Sequence, residues 1–433
     1  MMFAKYDAYK DSGVDWLGEI PANWSCIKMK FLYSDISIKG RENTELLSVT
    51  QDRGVIPRSW VENRMVMPSG NLESFKYIQK GDFAISLRSF EGGLEYCYHD
   101  GIISPAYTVL KKKIDDLKEG YYKYLFKSKI FISELQTSIV GIREGKNISY
   151  EELRYSYLPI PNGTEQNKIS CFLDQKTTEL DQAIAIKEQQ IALLNERKQI
   201  VIQKAVTQGL DPNVPMKDSG VEWIGQIPEH WTVSKIRYLG TTQNGISAGG
   251  EYFGSGYPFV SYGDVYKNRV LPMKVESLAQ STLSDQESFS VQEGDIFFTR
   301  TSETIEEIGF TSVCFKTIDK AVFAGFLIRF RPFKRAQLLK EFSKYYFSSA
   351  MMRIYFVKEM NLVIRASLSQ DLLKNLDVLL PPISEQNQIF EYLENVTGKI
   401  ELAISVKQSE IEKLKEYKTT LINDAVTGKI KVA

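Results

Sequence analysis

Residues 10–24 read KDSGVDWLGEIPANW, and residues 217–231 read KDSGVEWIGQIPEHW, with ten identical positions. Two shorter blocks recur in the same order: EQNKI at 165–169 returns as EQNQI at 385–389, and AVTQG at 205–209 returns as AVTG at 425–428. Self-similarity on this scale indicates a repeat architecture, so the chain is one unit used twice. The first blocks are 207 residues apart and the second blocks 220, so the stretch between them is thirteen residues longer in the second copy. Unlike inserts in a shared frame predict one scaffold with two different binding surfaces.

The composition is that of an ordered globular protein, with 433 residues of which 43% are hydrophobic. The 54 basic and 54 acidic residues give a formal charge of zero, so binding to nucleic acid would need local patches or a basic partner. The four cysteines have no CxxC spacing and only two histidines to join them, which disfavours a zinc site and predicts reduced thiols. We find no signal peptide and no apolar run of the ~20 residues that a membrane span needs, and therefore expect a cytoplasmic protein.

Two long segments carry apolar residues at alternating spacings of three and four. This pattern continues over about four heptads, which predicts a coiled-coil seam rather than an ordinary amphipathic helix. The two sets match position for position: Leu173, Leu180, Ile184, Ile191, Leu194 and Val201 in the first copy, and Leu393, Ile400, Ile404, Ile411, Leu414 and Leu421 in the second.

Both predicted helices have start and stop signals. Each follows a proline-terminated segment, and Thr164 and Ser384 are candidate N-caps. Gly209 and Gly428 supply the left-handed residue that commonly ends a helix. The boundaries of both helices are therefore predicted from local chemistry as well as from the periodicity.

Two lysines interrupt each seam at matching positions, Lys187 and Lys198 in the first copy and Lys407 and Lys418 in the second. Their stems can run along the edge of the seam while the charges stay in water. Alternatively, the four lysines fix the register in which the helices pair. The sequence leaves both interpretations open.

Connectivity constrains how the two predicted helices run. A helix of about 41 residues is about 60 Å long, whereas a domain of about 160 residues has a radius of gyration near 15 Å and cannot bridge that length. Only seven residues separate Gly209 from Lys217, so the second helix must begin near the end of the first. We predict an α+β fold with a pseudo-twofold internal repeat, in which two mixed α/β domains lie at opposite ends of a long antiparallel two-helix coiled coil. The chain termini should then lie close together.

The repeat also predicts the segment boundaries. The first domain spans residues 1–158, the first long helix 159–209, a linker 210–216, the second domain 217–378 and the second long helix 379–433. The tryptophans of the repeated block are predicted to be packing residues that dock each domain on the helices. In each insert a Gly-Asp turn at residue 81 or 294 feeds a predicted strand with arginine near its end.

Arginine can read guanine with two hydrogen bonds, while Lys, Ser, Thr and Asn mostly hold phosphates. Any one of these side chains is more often a solvated surface residue, so the set is a stronger signal than its members. The candidate DNA contacts are Arg53, Arg58, Arg64, Arg88, Ser89, Arg143 and Lys146 in the first domain, and Tyr262, Lys267, Asn268, Arg269, Arg300, Thr301 and Arg365 in the second.

No catalytic motif accompanies these candidates. The chain has no phosphate-binding loop of the G-x-x-x-x-G-K-[ST] type, no Asn-Pro-Pro-Tyr, no HExxH and no G-x-S-x-G. We therefore expect no catalytic residue and no metal ligand in this chain. A methyl-transfer assay on the lone chain would test the opposite interpretation, a self-sufficient enzyme.

The combination resembles the specificity subunits of type I restriction-modification systems. The similarity rests on LPIP with EQ at 158–166, LLPP with EQ at 379–386, the two Gly-Asp strands and the duplicated GVxWxGxIPxxW block. It implies two target recognition domains, each reading one half of an asymmetric bipartite DNA site, and helices that set the spacer and dock two methylation subunits. Restriction-translocase subunits would complete the assembly, and S-adenosylmethionine, ATP and Mg²⁺ would belong to those partners. The alternative is a coiled-coil scaffold that binds proteins without DNA specificity.

Overall fold

The computed structural model describes residues 3–61, 72–140, 147–302, 308–359 and 366–432. It divides into two compact units. The first unit combines Met1–Glu188 with Gln408–Ala433, and the second is Gln189–Lys407. Each unit therefore contains one insert domain, the first part of one long helix and the last part of the other.

The first unit is mixed in secondary structure. Its helices are α1 Met29–Leu32, α2 Ser89–Gly92, α3 Glu119–Leu125, α4 Lys129–Leu135, α5 Tyr150–Leu153 and the first part of α6 Gly163–Gln208. Its strands are β1 Tyr9–Asp11, β2 Glu19–Pro21, β3 Ser25–Lys28, β4 Tyr33–Asp35, β5 Leu47–Thr50, β6 Gly54–Pro57, β7 Lys76–Ile78, β8 Phe83–Ile85, β9 Glu95–Tyr96, β10 Gly101–Ile103, β11 Thr108–Lys112, β12 Ile139–Val140, β13 Asn147–Ile148 and β14 Tyr157–Ile160.

The second unit repeats this order with a longer insert. Its helices are α7 Ile236–Leu239, α8 Tyr262–Lys267, α9 Leu283–Ser288, α10 Lys340–Tyr346, α11 Ala350–Glu359, α12 Gln370–Asn375 and the first part of α13 Ile383–Val426. Its strands are β15 Met216–Asp218, β16 Gln226–Pro228, β17 Thr232–Lys235, β18 Gly240–Asn244, β19 Phe253–Val260, β20 Leu278–Ala279, β21 Ile296–Thr299, β22 Thr301–Ser302, β23 Thr311–Val313, β24 Val322–Phe323, β25 Leu327–Pro332, β26 Ala366–Ser367 and β27 Asp377–Leu380.

Equivalent antiparallel sheets form the centre of each domain. The order is β4-β11-β8-β9 in the first unit and β18-β25-β21-β23 in the second. The strand that follows each repeated block pairs with the strand that precedes the long helix. These pairs are β3 with β14 and β17 with β27. The Gly-Asp segments feed the interior strands β8 and β21, as the sequence predicts.

The repeated block docks each domain on its helices. Trp24 and Trp231 are almost fully buried, and each belongs to a core that also contains the last turns of a long helix: Ala425 and Val426 in the first unit, and Ala205 and Val206 in the second. The indole of Trp231 donates to Glu385, 3.0 Å away at the start of α13. The prediction that these tryptophans are packing residues is confirmed.

The two long helices pair antiparallel within each unit. In the first unit Lys187 pairs with Glu410 at 2.5 Å and Lys418 with Asp181 at 2.7 Å, so higher numbers on α6 meet lower numbers on α13. In the second unit Lys198 pairs with Glu401 at 2.7 Å, and Lys407 donates to Gln190 at 2.6 Å. All four seam lysines thus contact the facing helix, which favours the interpretation that they fix the register.

The predicted seam is the buried face of this pair. Its twelve apolar residues are buried or half-buried in every case. Five apolar residues in the middle of the helices lie off the seam and are exposed: Ile186, Leu193, Ile200, Leu402 and Val406 are 50–67% accessible. The alternating spacing therefore identified the correct face.

The helix starts differ from the prediction. Both helices begin one residue before the predicted caps, at Gly163 and Ile383, so Thr164 and Ser384 lie inside the first turn. In α6 the capping side chain is Asn162, whose Oδ1 accepts the N–H of Glu165 at 2.9 Å. The predicted C-terminal glycines are correct, since Gly209 and Gly428 have φ of 73° and 75°.

The chain ends meet within the first unit. The N–H of Lys431 donates to the carbonyl of Ala4 at 2.7 Å, and Tyr9 donates through its hydroxyl to the carbonyl of Lys429 at 3.4 Å. The predicted proximity of the termini is confirmed. In the described residues no helix combines the length and apolar character that crossing a bilayer requires.

Candidate nucleic-acid interface

The Gly-Asp turns are structural supports for the central sheets. Gly81 and Gly294 have φ of 96° and 88°, a conformation that favours glycine. Asp82 accepts the N–H of Gln79 at 2.8 Å and pairs with Lys111 at 3.2 Å. Its equivalent, Asp295, is fully buried and makes a double hydrogen bond to Arg331, with both distances 2.6 Å. These aspartates hold the strands that carry the predicted arginines.

A buried cysteine follows each of these strands at an equivalent place. The N–H of Cys97 donates to Asp82 and that of Cys314 donates to Asp295, through the aspartate carbonyls. Burial raises the pKa of both thiols to about 12, so both stay protonated and unreactive at neutral pH. Among the described residues no group of three or more His, Cys, Asp or Glu side chains could hold a metal ion.

A matching Lys-Tyr pair joins each domain to its long helix. Tyr124 donates to Asp174 at 2.7 Å and lies 3.2 Å from the hydroxyl of Thr177, while Lys123 pairs with the same Asp174. Burial is the main cause that raises the pKa of the Tyr124 hydroxyl, which therefore remains protonated.

The second unit repeats this support with Tyr345, Lys344, Glu394 and Thr397. Tyr345 donates to Glu394 at 2.6 Å, lies 3.1 Å from the Thr397 hydroxyl, and shares Glu394 with Lys344. The two units thus form the same support from equivalent residues. We call each of these Lys-Tyr supports a platform.

A cleft of about 570 Å³ opens beside the platform of the first unit, and we call it the first cleft. Arg53 lies in the turn between β5 and β6 and donates to the carbonyl of Trp60 at 3.3 Å. The Trp60 side chain is 58% exposed and meets the ring of His99 edge-on at 5.0 Å. The residues that line the first cleft are Gln51, Asp52, Arg53, Gly54, Ile56, Trp60, Tyr96, Tyr98, His99, Lys123, Tyr124, Lys127, Thr177, Lys418 and Ile422.

A cleft of about 410 Å³, the second cleft, opens in the second unit beside Phe347 and Ser348, which closely follow Lys344 and Tyr345 in the chain. It contains Lys267, Asn268 and Arg269, the residues at and just after the end of α8. Asn268 donates to the carbonyl of Asp264 at 2.9 Å, which fixes the end of the helix. The residues that line the second cleft are Gln199, Tyr266, Lys267, Asn268, Arg269, Gly309, Phe310, Thr311, Phe347, Ser348, Ser349 and Ala350.

Comparisons with known proteins point to one group of relatives. Residues 228–413 match the family model described as the type I restriction modification DNA specificity domain. The chain is similar to type I restriction enzyme specificity subunits. It is 26% identical over 340 residues to the type I restriction enzyme MjaVIII specificity subunit of Methanocaldococcus jannaschii, a match that covers 77% of this chain and 75% of the relative. The putative MjaX specificity subunit of the same organism is 23% identical over 469 residues, which cover 100% of this chain and 99% of that protein.

The fold agrees with this assignment. A chain in a solved structure of the type I R-M system superposes with a TM-score of 0.72 at 13% identity, over 94% of this chain and 98% of that one. The match to a DNA specificity domain and the similarity to specificity subunits agree with the prediction of a DNA-specificity component.

The structure separates the predicted DNA contacts of this chain into groups. Arg53, Lys267, Asn268 and Arg269 line the two clefts. Arg88 is exposed at the start of α2, and Arg58 is half-buried at the end of β6. Tyr262 stacks on Tyr266 beside the second cleft, with ring centroids 5.8 Å apart. Arg64, Arg143, Lys146 and Arg365 lie outside the described residues.

Three predicted contacts serve the fold. Ser89 is fully buried and accepts the N–H of Ser86 at 2.9 Å, so the prediction of a DNA contact from its hydroxyl is corrected. Arg300 is half-buried and donates to the carbonyl of Gly325 at 3.4 Å, while Thr301 pairs with Ser367 between β22 and β26. Neither Arg300 nor Thr301 lines a cleft.

The sequence did not single out Trp60, His99 or Phe310 as site residues. An exposed tryptophan beside a histidine and an arginine is a typical surface for stacking and hydrogen bonding to nucleic acid. These residues come from separate segments of the diverged inserts, so no local motif connects them. Only the fold brings Trp60 and His99 into the first cleft and Phe310 into the second.

Proposed function

We propose that this chain gives a type I restriction-modification complex its DNA sequence specificity, with each unit reading one half of a bipartite asymmetric site. The observation that carries the proposal is one cleft in each unit with different walls. Lys123, Tyr124 and Thr177 of the platform line the first cleft, and Phe347 and Ser348, which closely follow Lys344 and Tyr345 in the chain, line the second. The other walls differ: Arg53, Trp60 and His99 in the first cleft, and Tyr266, Asn268 and Arg269 in the second. A shared frame with unlike walls is what two unlike half-sites require.

The cleft side chains suit base recognition in the major groove. The guanidinium of Arg53 or Arg269 can bond to O6 and N7 of guanine, and the amide of Asn268 can bond to N6 and N7 of adenine. Arg53 is held at a hairpin turn and Asn268 at a helix end, so both start from positioned backbone. The aromatic side chains would add contacts to sugars, thymine methyl groups or unstacked bases.

The remaining parts of the complex would come from partner subunits in the cytoplasm. We propose that two methylation subunits dock on the paired long helices, which would also set the spacer between the half-sites. Exposed apolar residues on the helices of the second unit, among them Leu193, Ile200 and Leu402, support such docking. Restriction-translocase subunits would join them, and S-adenosylmethionine, ATP and Mg²⁺ would be bound by these partners.

The test is a comparison of single alanine variants in the assembled methyltransferase. Arg53→Ala should relax base choice in one half-site and Arg269→Ala in the other, each by about 1–3 kcal/mol of discrimination. Methylation of duplex libraries randomised in either half-site measures this directly. Arg41→Ala, an exposed arginine of the first insert that lines neither the first nor the second cleft, is the matched control and should leave both half-sites unchanged. Wild-type base choice in both cleft variants would contradict the assignment of the clefts.

A further inference from the structure

A repeated motif outside both clefts has the same chemistry in the two units. Residues 28–32 read KMKFL and residues 235–239 read KIRYL. Each forms a one-turn helix, α1 or α7, whose first and last residues are buried. The residues between them face outward: the rings of Phe31 and Tyr238 are 58% and 67% exposed.

Basic and aromatic side chains surround this motif in the first unit. The Lys30 ammonium lies 4.9 Å from the ring of Tyr155, and the Lys28 ammonium lies 5.2 Å from the ring of Tyr157. Within the described part of the unit neither lysine has a carboxylate at ion-pairing distance. Arg154 donates to the hydroxyl of Tyr155 at 3.1 Å, and this bond lowers the pKa of that phenol. Arg154 also pairs with Glu151 at 2.9 Å, so the positive charge of this surface comes from Lys28 and Lys30.

The second unit builds the same surface from different residues. The N–H of Phe333 donates to the carbonyl of Leu239 at 2.7 Å, just as that of Lys113 donates to Leu32 at 2.8 Å. This contact brings the exposed Lys334 and Arg335 beside α7, where Arg237 is also exposed. Lys235 in this unit pairs with Asp377 at 3.1 Å. The outward positive charge is thus kept although the neighbouring residues have changed.

We propose that these two surfaces, which we call the basic-aromatic patches, hold phosphates of the DNA duplex at each half-site without reading its sequence. The argument rests on the proposed function. The cleft walls differ between the two units, which suits two half-sites with different base sequences. The basic-aromatic patches have the same chemistry in both units, so their ligand must be a group that is present at both half-sites. The sugar-phosphate backbone satisfies this condition, and unpaired lysines in a protein of zero net charge favour a polyanion. Tyrosine and lysine are ordinary phosphate ligands, and an exposed ring can pack on deoxyribose.

The test uses the complex with its methylation subunits and the double variant Lys30→Gln with Arg237→Gln. Binding to a duplex with the recognised site and to an unrelated duplex is measured by fluorescence anisotropy over a series of salt concentrations. We expect affinity to fall by the same factor for both duplexes. The slope of log affinity against log salt should become shallower by about 2, close to one for each phosphate that the double variant no longer neutralises. The control is Lys176→Gln with Lys415→Gln, two helix lysines that pair within their own helices.

Three results would overturn the patch assignment. An unchanged salt slope with normal assembly would make the patches ordinary surface. An unchanged slope with loss of methylation subunits, followed by native mass spectrometry, would make them protein-docking sites. A loss confined to the recognised duplex would make them base-reading sites. Failure of the proposed function looks different, because the wild-type complex would then show no preference between the two duplexes.

Discussion

At the residue scale, one glutamine closes each long helix onto its domain. Gln166 accepts the N–H of Lys118 at 2.8 Å and donates to the carbonyl of Pro161 at 2.8 Å. Gln386 makes the equivalent bonds to Leu339 and Pro381, both at 2.9 Å, and is fully buried. The glutamine of the repeated EQ pair therefore connects the helix start to the preceding turn, because its amide accepts one hydrogen bond and donates another. We call this connection the EQ clamp.

Gln386→Ala should destabilise the second unit. The substitution leaves the Leu339 N–H and the Pro381 carbonyl buried without this partner, and an unsatisfied buried group costs about 1–3 kcal/mol. Urea unfolding measures the loss of stability. Gln175→Ala, at an exposed position of α6, is the control and should change stability by less than about 0.5 kcal/mol. Equal stability of the two variants would show that the clamp is unimportant.

Glu95 makes the stability of the first unit depend on pH. Burial raises the pKa of this carboxyl from 4.5 to about 7, while Lys127, 2.6 Å away, opposes the rise. The folded state therefore holds the proton more tightly than the unfolded chain. The resulting stabilisation is full below about pH 4.5 and is lost as pH rises through about 7.

Glu95→Gln should remove this dependence because the amide does not titrate. The stability of the wild type relative to the variant should fall between about pH 5 and about pH 8. Urea midpoints at the two pH values test it, and Glu151→Gln, an exposed carboxylate, is the control. If the wild type and Glu95→Gln gave parallel profiles, the buried carboxyl would not titrate as described.

At the element scale, the paired helices carry a repeated ionic contact with one substitution. Lys187 reaches Glu410 in the first unit, but its equivalent Lys407 reaches Gln190 in the second. A neutral amide thus stands where the repeat has a carboxylate. The seam itself is equivalent in the two units, so the local geometry already suits an ion pair.

Gln190→Glu should therefore stabilise the helix pair, by about 0.2–1 kcal/mol as for a partly exposed ion pair. Thermal unfolding measures the gain, which should shrink at high salt because exposed charges are screened. A double-mutant cycle with Lys407→Met isolates the contact, since the gain should vanish without the lysine. A gain that survives Lys407→Met would place its origin elsewhere.

The helices were predictable because a seam repeats every three or four residues over many turns, and its lysines and glycines recur at fixed offsets. The capping residues were less predictable. Asn162 and Thr164 are both good capping residues, and the sequence alone does not show at which of them the helical backbone begins. Arg53 and Arg269 could be nominated by residue type. Trp60 and His99 could not, because they meet through tertiary contacts. Ser89 was predicted to be a surface hydroxyl, but it is buried and accepts the N–H of Ser86 within a turn.

At the scale of the whole molecule, duplication followed by divergence explains the chain. The parts that recur are the ones that build the frame: the tryptophan blocks, the EQ clamps, the Gly-Asp turns and the Lys-Tyr platforms. The KMKFL and KIRYL motifs extend this set, and a longer alignment of the two copies would have found them from sequence. The parts that differ are the cleft walls, so the proposed function places sequence specificity in the inserts.

In the proposed function each insert reads one half-site independently of the other. The most direct measurement is methylome sequencing of cells that carry the chain with its methylation subunits, after residues 28–153 are exchanged for the equivalent segment of a relative. We predict that one half of the methylated site changes while the other half and the spacer remain. Exchange of residues 235–373 should change only the other half. Changes in both halves from either exchange, or in neither, would contradict the account.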